Sequence, residues 1–126
     1  MVEETNEMTA MQAAVYRIIS EHRGRDNAVT AEDVARQTGK ITAREVRRNV
    51  RDLRLKYRLP IGSSTAYPPG YYIAETQDDL TKASYPFLKF GLKQLKMAHR
   101  LLGITRAEFI GQISIDLANE LAVEEG

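Results

Sequence analysis

Residues 40–58 have the sequence KITAREVRRNVRDLRLKYR, which has the clearest pattern of charge and hydrophobicity in the chain. They include eight of the 18 basic residues and two of the 17 acidic ones, a net charge of +6 in a chain whose total is +1. At about 100° per residue, Val46, Val50, Leu53 and Tyr57 fall in one narrow arc of a helix. The pattern predicts an amphipathic helix that buries this arc.

The arginines of this stretch lie to one side of the apolar arc and behind it. They are Arg44, Arg47, Arg48, Arg51 and Arg54. Glu45, Asp52 and Lys56 occupy the other flank. A helix with one buried face and a stripe of arginines is what major-groove or phosphate recognition requires. The alternative is an ordinary solvated face, because arginine is also a good helix former at surfaces.

The composition sets limits on the class of protein. With 126 residues, 43% of them hydrophobic, we expect one domain or a small domain with a helical extension. No window approaches the roughly 18 apolar residues of a membrane span, and the acidic N-terminus lacks the apolar run of a secretory signal. We therefore expect a cytoplasmic protein that does not interact with membranes. Because there is no cysteine and only His22 and His99, we expect neither a metal nor another cofactor.

Two helices are predicted before the third, which is the basic one. An apolar repeat from Met11 to Ile19 predicts the first over about residues 8–23, and Ala28-Val29 fits a very short strand. Thr30 begins the second helix as its N-cap, and Gly39 is placed to end it in a left-handed conformation.

The third helix has its own start and stop signals. Thr42 and Glu45 form a capping box at its beginning, and it runs to about Tyr57. Pro60 forbids further helix.

A β-hairpin is predicted after Pro60. Two short apolar runs, residues 59–62 and 71–74, flank a loop from Ser63 to Gly70 that is rich in serine, proline and glycine. Tyr71 and Ile73 share a strand face, and we expect both to join the core.

Two more helices follow a polar connector over residues 75–82. Pro86 suits the first turn of a fourth helix that reaches about Leu102 and ends at Gly103. Thr105 and Glu108 form a capping box for a last helix. The predicted fold class is therefore mainly α with a small β-hairpin.

The order of helix, short strand, helix, turn, helix and hairpin is that of a winged helix-turn-helix domain. The match is carried by TAEDVARQTG (30–39), ITAREVRRNVRDLR (41–54), Pro60-Ile61 and GYYI (70–73). This resembles the winged-helix modules of bacterial regulators, such as the DNA-binding domain of biotin repressors, and similar small phage-encoded proteins. The resemblance covers roughly residues 8–76. It implies sequence-selective binding of duplex DNA, with the recognition helix on residues 43–57 and the wing on residues 61–72.

Candidate DNA contacts around the third helix are Lys40, Thr42, Arg44, Arg47, Arg48, Arg51 and Arg54. Thr42 and the backbone N–H groups after it form the positively polarised N-terminus of the helix, which is suited to binding a phosphate. The first three arginines lie in the half that normally enters the groove, where arginine bridges guanine O6 and N7. The last two are expected to reach phosphates.

The wing supplies weaker candidates. Ser63 and Ser64 could hydrogen-bond phosphates, and Tyr67 could lie along the sugar edge. Because the tip contains no arginine or lysine, an ordinary hairpin loop is an equal alternative.

The C-terminal region, residues 83–123, is predicted to mediate self-association or docking. Lys89, Lys93, Lys96 and Arg100 form one stripe of the fourth helix, and apolar residues occupy most of its remaining circumference. We expect a homodimer through residues 85–121, with a protein partner at these helices as another possibility. A compact monomer that buries every apolar side chain is the competing interpretation.

Two functions are consistent with these patterns. The first is a sequence-selective duplex-DNA-binding protein, a small transcriptional regulator of bacterial or phage type. The second is a winged-helix adaptor that binds protein within a phage or plasmid replication assembly. We do not expect an enzyme, because the chain has no phosphate-binding glycine loop, nucleophile elbow or metal pair.

Overall fold

The computed structural model describes residues 8–125 of the chain, with side chains to residue 123. Within that range the protein is mainly helical with one two-stranded hairpin, which confirms the predicted fold class. The elements are α1 (Ala10–Ser20), a 3-10 turn (Arg25–Asn27), α2 (Ala31–Thr38), α3 (Ala43–Tyr57), β1 (Ile61–Ser64), β2 (Gly70–Ile73), α4 (Gln77–Leu102) and α5 (Arg106–Glu125). The chain forms two compact units, one ending at Pro86 and the other beginning at Phe87.

Threonine side chains begin the first three helices. The hydroxyls of Thr9, Thr30 and Thr42 each accept a hydrogen bond from a backbone N–H in the first turn, as N-caps do. Gly39 ends α2 in a left-handed conformation, with φ 71°, as predicted. The short turn to α3 is therefore fixed at both ends, by a glycine and by a capping threonine.

The core is formed by α1, α2, α3 and the hairpin. Its buried members are Val15, Ile19, Val29, Ala31, Val34, Val46, Val50, Leu53, Ile61 and Ile73. The predicted apolar arc of α3 is confirmed, because Val46, Val50 and Leu53 are fully buried and Tyr57 packs against the cluster.

The hairpin is antiparallel and is attached to the segment before α2. Its register pairs Ile61 with Ile73. The predicted short strand is a single bridge, in which Val29 and Tyr71 exchange N–H···O bonds of 2.8 and 2.7 Å. At Gly70, with φ 124°, a Cβ atom would collide with the Val29 carbonyl, so this approach requires glycine.

Two details of the hairpin differ from the prediction. β1 extends to Ser64, so the two serines lie in a strand and not in the loop. Tyr72 is fully buried, in addition to Ile73 and half-buried Tyr71. Tyr72 lies opposite Gly62, and its ring occupies the space that a side chain there would need. Side chains alternate between the two faces of a strand, so the expected burial of Tyr71 and Ile73 does not predict that Tyr72, on the opposite face, is also buried.

The fourth helix begins nine residues earlier than predicted, at Gln77 instead of Pro86. The hydroxyl of Thr76 accepts the N–H of Asp79 at 3.0 Å, and this local start signal outweighs the preference of proline for a first turn. Pro86 therefore lies inside α4, where it cannot donate to the carbonyl of Lys82. The boundary between the two units falls directly after it.

The C-terminal helix begins and ends near the predicted positions. Thr105 and Glu108 form the predicted capping box, with backbone bonds of 3.0 and 3.1 Å. The pKa of the Glu108 carboxyl is lowered, first by the Thr105 N–H and then by the Thr105 hydroxyl, both of which donate to its Oε1 atom. Gly103 adopts φ 69° in the turn after α4, as expected of a helix stop. The helix continues past Leu121 to Glu125.

Leu53→Ala should lower the free energy of unfolding by about 2–5 kcal/mol, because it leaves a cavity in the core. Leu55→Ala is the matched control on the same helix. Leu55 is 60% exposed, and its loss should cost less than about 0.5 kcal/mol. Urea denaturation of both variants measures the difference, and equal losses would mean that α3 is rotated about its axis.

Candidate nucleic-acid interface

The outer face of α3 presents three arginines to solvent. Arg44, Arg48 and Arg51 are exposed on the side of the helix opposite the buried valines and Leu53. Within the described part of the chain, none of the three has a hydrogen-bond or ion-pair partner from its side chain. Three guanidinium groups, each always charged, are thus available to an external anion. We call these residues the outer arginine face.

Arg47 is directed to α2. Its Nη2 atom donates to Oε2 of Glu32 at 2.9 Å, and both side chains are more than half exposed. The pKa of Glu32 is lowered, first by its backbone hydrogen bond and then by the Arg47 guanidinium. An exposed pair of this kind contributes little stability, so it opens at small cost when a stronger anion approaches.

Arg54 joins α3 to the hairpin. Its Nε–H donates to the Ile61 carbonyl at 2.8 Å, and its Nη2 donates to the Ser63 hydroxyl at 2.6 Å. The guanidinium carbon lies 5.7 Å from the centre of the Tyr71 ring. Burial lowers the pKa of Arg54, although arginine stays charged at any ordinary pH. Arg54, which we expected to contact phosphates, therefore also connects α3 to the hairpin.

The N-terminus of α3 is already occupied by an acidic side chain. The Thr42 N–H donates to Oε1 of Glu45 at 2.9 Å, and the Glu45 N–H donates to the Thr42 hydroxyl at 3.2 Å. A phosphate at this end would meet the Glu45 carboxylate, which disfavours the predicted contact at Thr42. Lys40 is exposed in the turn just before it.

The three candidates on the hairpin differ in accessibility. Ser63 is exposed, with its hydroxyl bonded to Arg54. Ser64 is buried, and its hydroxyl donates to the Ala66 carbonyl at 3.0 Å, so it shapes the loop. Tyr67 is 95% exposed in the loop. Of the three, Tyr67 has the side chain most accessible to a ligand.

A groove lies between the start of α2, the flank of α3 and the hairpin. Its lining residues are Thr30, Ala31, Glu32, Arg47, Ser63, Ser64, Thr65, Pro69, Gly70 and Tyr71. The groove therefore brings together Arg47 of α3 and Ser63 of the hairpin. These two predicted site residues are 16 positions apart in the sequence. Hydroxyl and backbone groups along such a groove are suited to contacts with a sugar–phosphate chain.

Comparisons with protein-family models, curated proteins and solved structures returned no match. Between residues 8 and 125, no helix has both the length and the apolar character that a bilayer crossing requires. The described residues also contain no group of three or more His, Cys, Asp or Glu side chains that could hold a metal ion. The outer arginine face and the groove beside it are therefore the features of the molecule that indicate a function.

Arg54→Ala should lower the free energy of unfolding by about 1–3 kcal/mol, because it removes two hydrogen bonds and leaves the Ile61 carbonyl without its guanidinium donor. Hydrogen exchange should accelerate at the amides of residues 61–73. Arg51→Ala, with the same change of charge on the same helix, should be nearly neutral. If the two variants have equal stability and equal exchange, Arg54 does not hold the hairpin.

Proposed function

We propose that this chain is a small winged-helix protein that binds duplex DNA by placing α3 in the major groove. The observation that carries the proposal is the outer arginine face. Its three guanidinium groups have no side-chain partner among residues 8–125, and the opposite face of the helix is anchored in the core. Arg44, Arg48 and Arg51 are spaced i, i+4 and i+7, so they span about 10 Å along the helix axis. A major groove about 12 Å wide admits such a helix.

The three arginines would contact different parts of the DNA, according to their positions on α3. Arg44 and Arg48 lie in the N-terminal half of α3, the part that contacts base edges in helix-turn-helix proteins. Each can bridge guanine O6 and N7, a contact worth about 1–3 kcal/mol of discrimination. Arg51 lies further along the helix and would neutralise a phosphate. Arg47 would exchange Glu32 for a second phosphate beside the groove.

In this proposal the protein is a transcriptional regulator that acts in the cytoplasm. A fixed helix, flanked by α2 and by a hairpin that Arg54 holds in place, is suited to reading a defined sequence. The proposal needs no catalytic group or cofactor, because recognition uses side chains that are already present.

A protein-binding adaptor is the second candidate, and two observations favour it. Leu55 is exposed in the centre of the arginine side of α3, and the hairpin loop presents Tyr67 without any basic residue. Aromatic, aliphatic and arginine side chains together are typical of protein interfaces. The two candidates differ in their dependence on salt and on Leu55.

The first test is titration of the full chain with random duplex DNA across a salt series. Affinity should fall steeply with salt, because phosphate neutralisation releases counterions. The triple variant Arg44→Ala/Arg48→Ala/Arg51→Ala should lose binding, whereas the charge-matched Arg17→Ala/Lys56→Ala/Arg106→Ala should retain most of it. A flat salt dependence, or equal losses in the two triple variants, would refute DNA recognition by α3. Loss of a protein partner from Leu55→Ala, with no DNA binding, would favour the adaptor.

The second test separates base contacts from phosphate contacts. Selection from a randomised duplex library should show relaxed sequence preference for Arg44→Ala and for Arg48→Ala. Arg51→Ala should weaken binding to all sequences alike and reduce the salt slope by about 1. If Arg51→Ala changed the selected sequence while Arg44→Ala left it intact, the docking direction of α3 would be reversed.

A further inference from the structure

The unit that begins at Phe87 has almost no core of its own. Among the side chains described from residue 87 to residue 123, Phe109 alone is buried. Its ring lies 5.1 Å from that of His99, near the turn between α4 and α5. Away from this turn, large apolar side chains on both helices remain open to solvent. They include Phe90, Met97 and Leu101 on α4, and Ile110, Leu117 and Leu121 on α5.

The exposed side chains on α4 have the spacing of a packing seam. Phe90, Met97 and Leu101 occupy a and d positions of a heptad pattern, with Gln94 at the a position between the first two. We call these three apolar residues the apolar row of α4. Leu101 is 83% exposed. Soluble monomers rarely leave large apolar side chains aligned in this way uncovered. The row therefore indicates a helical partner, and α5 of the same chain does not cover it.

Charge identifies which helix that partner is. On α4, basic residues directly precede members of the apolar row: Lys89 before Phe90, Lys96 before Met97 and Arg100 before Leu101. On α5, acidic residues directly precede members of its exposed row: Asp116 before Leu117 and Glu120 before Leu121. On both helices, charged residues directly precede exposed apolar residues, and these charges are basic on α4 and acidic on α5. Residues 82–107 contain six basic residues and no acid, and residues 108–126 contain five acids and no base.

We propose that a second copy of this chain covers the unit, with α5 of each copy lying along α4 of the other. This exchange buries both apolar rows at once and places the basic row of one chain beside the acidic row of its partner. Packing α4 against the partner's α4 would instead bring two basic rows together, which costs free energy. The inference does not depend on DNA binding, because it uses only residues from 87 onward.

The test uses the full chain and two charge-reversal variants. The α4 variant is Lys96→Glu/Arg100→Glu, and the α5 variant is Asp116→Lys/Glu120→Lys. Light scattering should show a dimer for the wild type and a shift to monomer for each variant alone, because each then carries like-charged helices. An equimolar mixture of the variants should dimerise again, since every α4 meets an oppositely charged α5. Native mass spectrometry should identify the restored species as the mixed dimer.

The controls reverse equal charge on the first unit. They are Arg17→Glu/Lys56→Glu for the α4 variant and Glu21→Lys/Asp26→Lys for the α5 variant, and both should remain dimeric. An unaffected α5 variant would mean that α4 pairs with α4. Failure of the mixture to dimerise would exclude the exchange. A wild-type monomer at high micromolar concentration would overturn the proposal and leave the apolar rows to a different protein.

Discussion

Burial of one face of α3 is the packing constraint that sets the arrangement of the first unit. Val46, Val50 and Leu53 have no contact with solvent, and helices α1 and α2 pack against them from two directions. A helix held by its inner face cannot rotate without exposing these side chains. The direction of each arginine is therefore set by the core, and the outer arginine face is a consequence of packing as much as of composition.

The same constraint divides the arginines of α3 into two groups with different roles. Those on the outer face have no side-chain partner in the described part of the chain, whereas Arg47 and Arg54 lie on the flank that faces α2 and the hairpin. The flanking pair uses its charge to connect elements: one forms an exposed ion pair, and the other bonds a backbone carbonyl and a hydroxyl. The basic character of the helix thus serves both the fold and its surface.

Much of this arrangement could be predicted from sequence, because the signals are local. Each of these signals depends on residues within a few positions of one another. They are the caps at Thr30, Thr42 and Thr105, the stops at Gly39 and Gly103, and the buried arc of α3. Two features that escaped prediction depend on contacts between different helices and strands. The internal bonds of Arg54 require the position of β1, and the burial of Tyr72 requires a glycine across the hairpin. The early start of α4 is a third such feature, and its signal is local: the Thr76 hydroxyl caps the Asp79 N–H, although Pro86 favours a later start.

The bridge between Val29 and Tyr71 has a consequence for kinetics. The second strand of the hairpin is bonded on both edges, to β1 and to the segment before α2, where the Ile73 N–H also donates to the His22 carbonyl at 2.8 Å. A strand held on both edges is already ordered, so a ligand that meets it spends no free energy on ordering the backbone. The rate at which a ligand associates with the hairpin would then be limited by diffusion and orientation, and not by the folding of a loop.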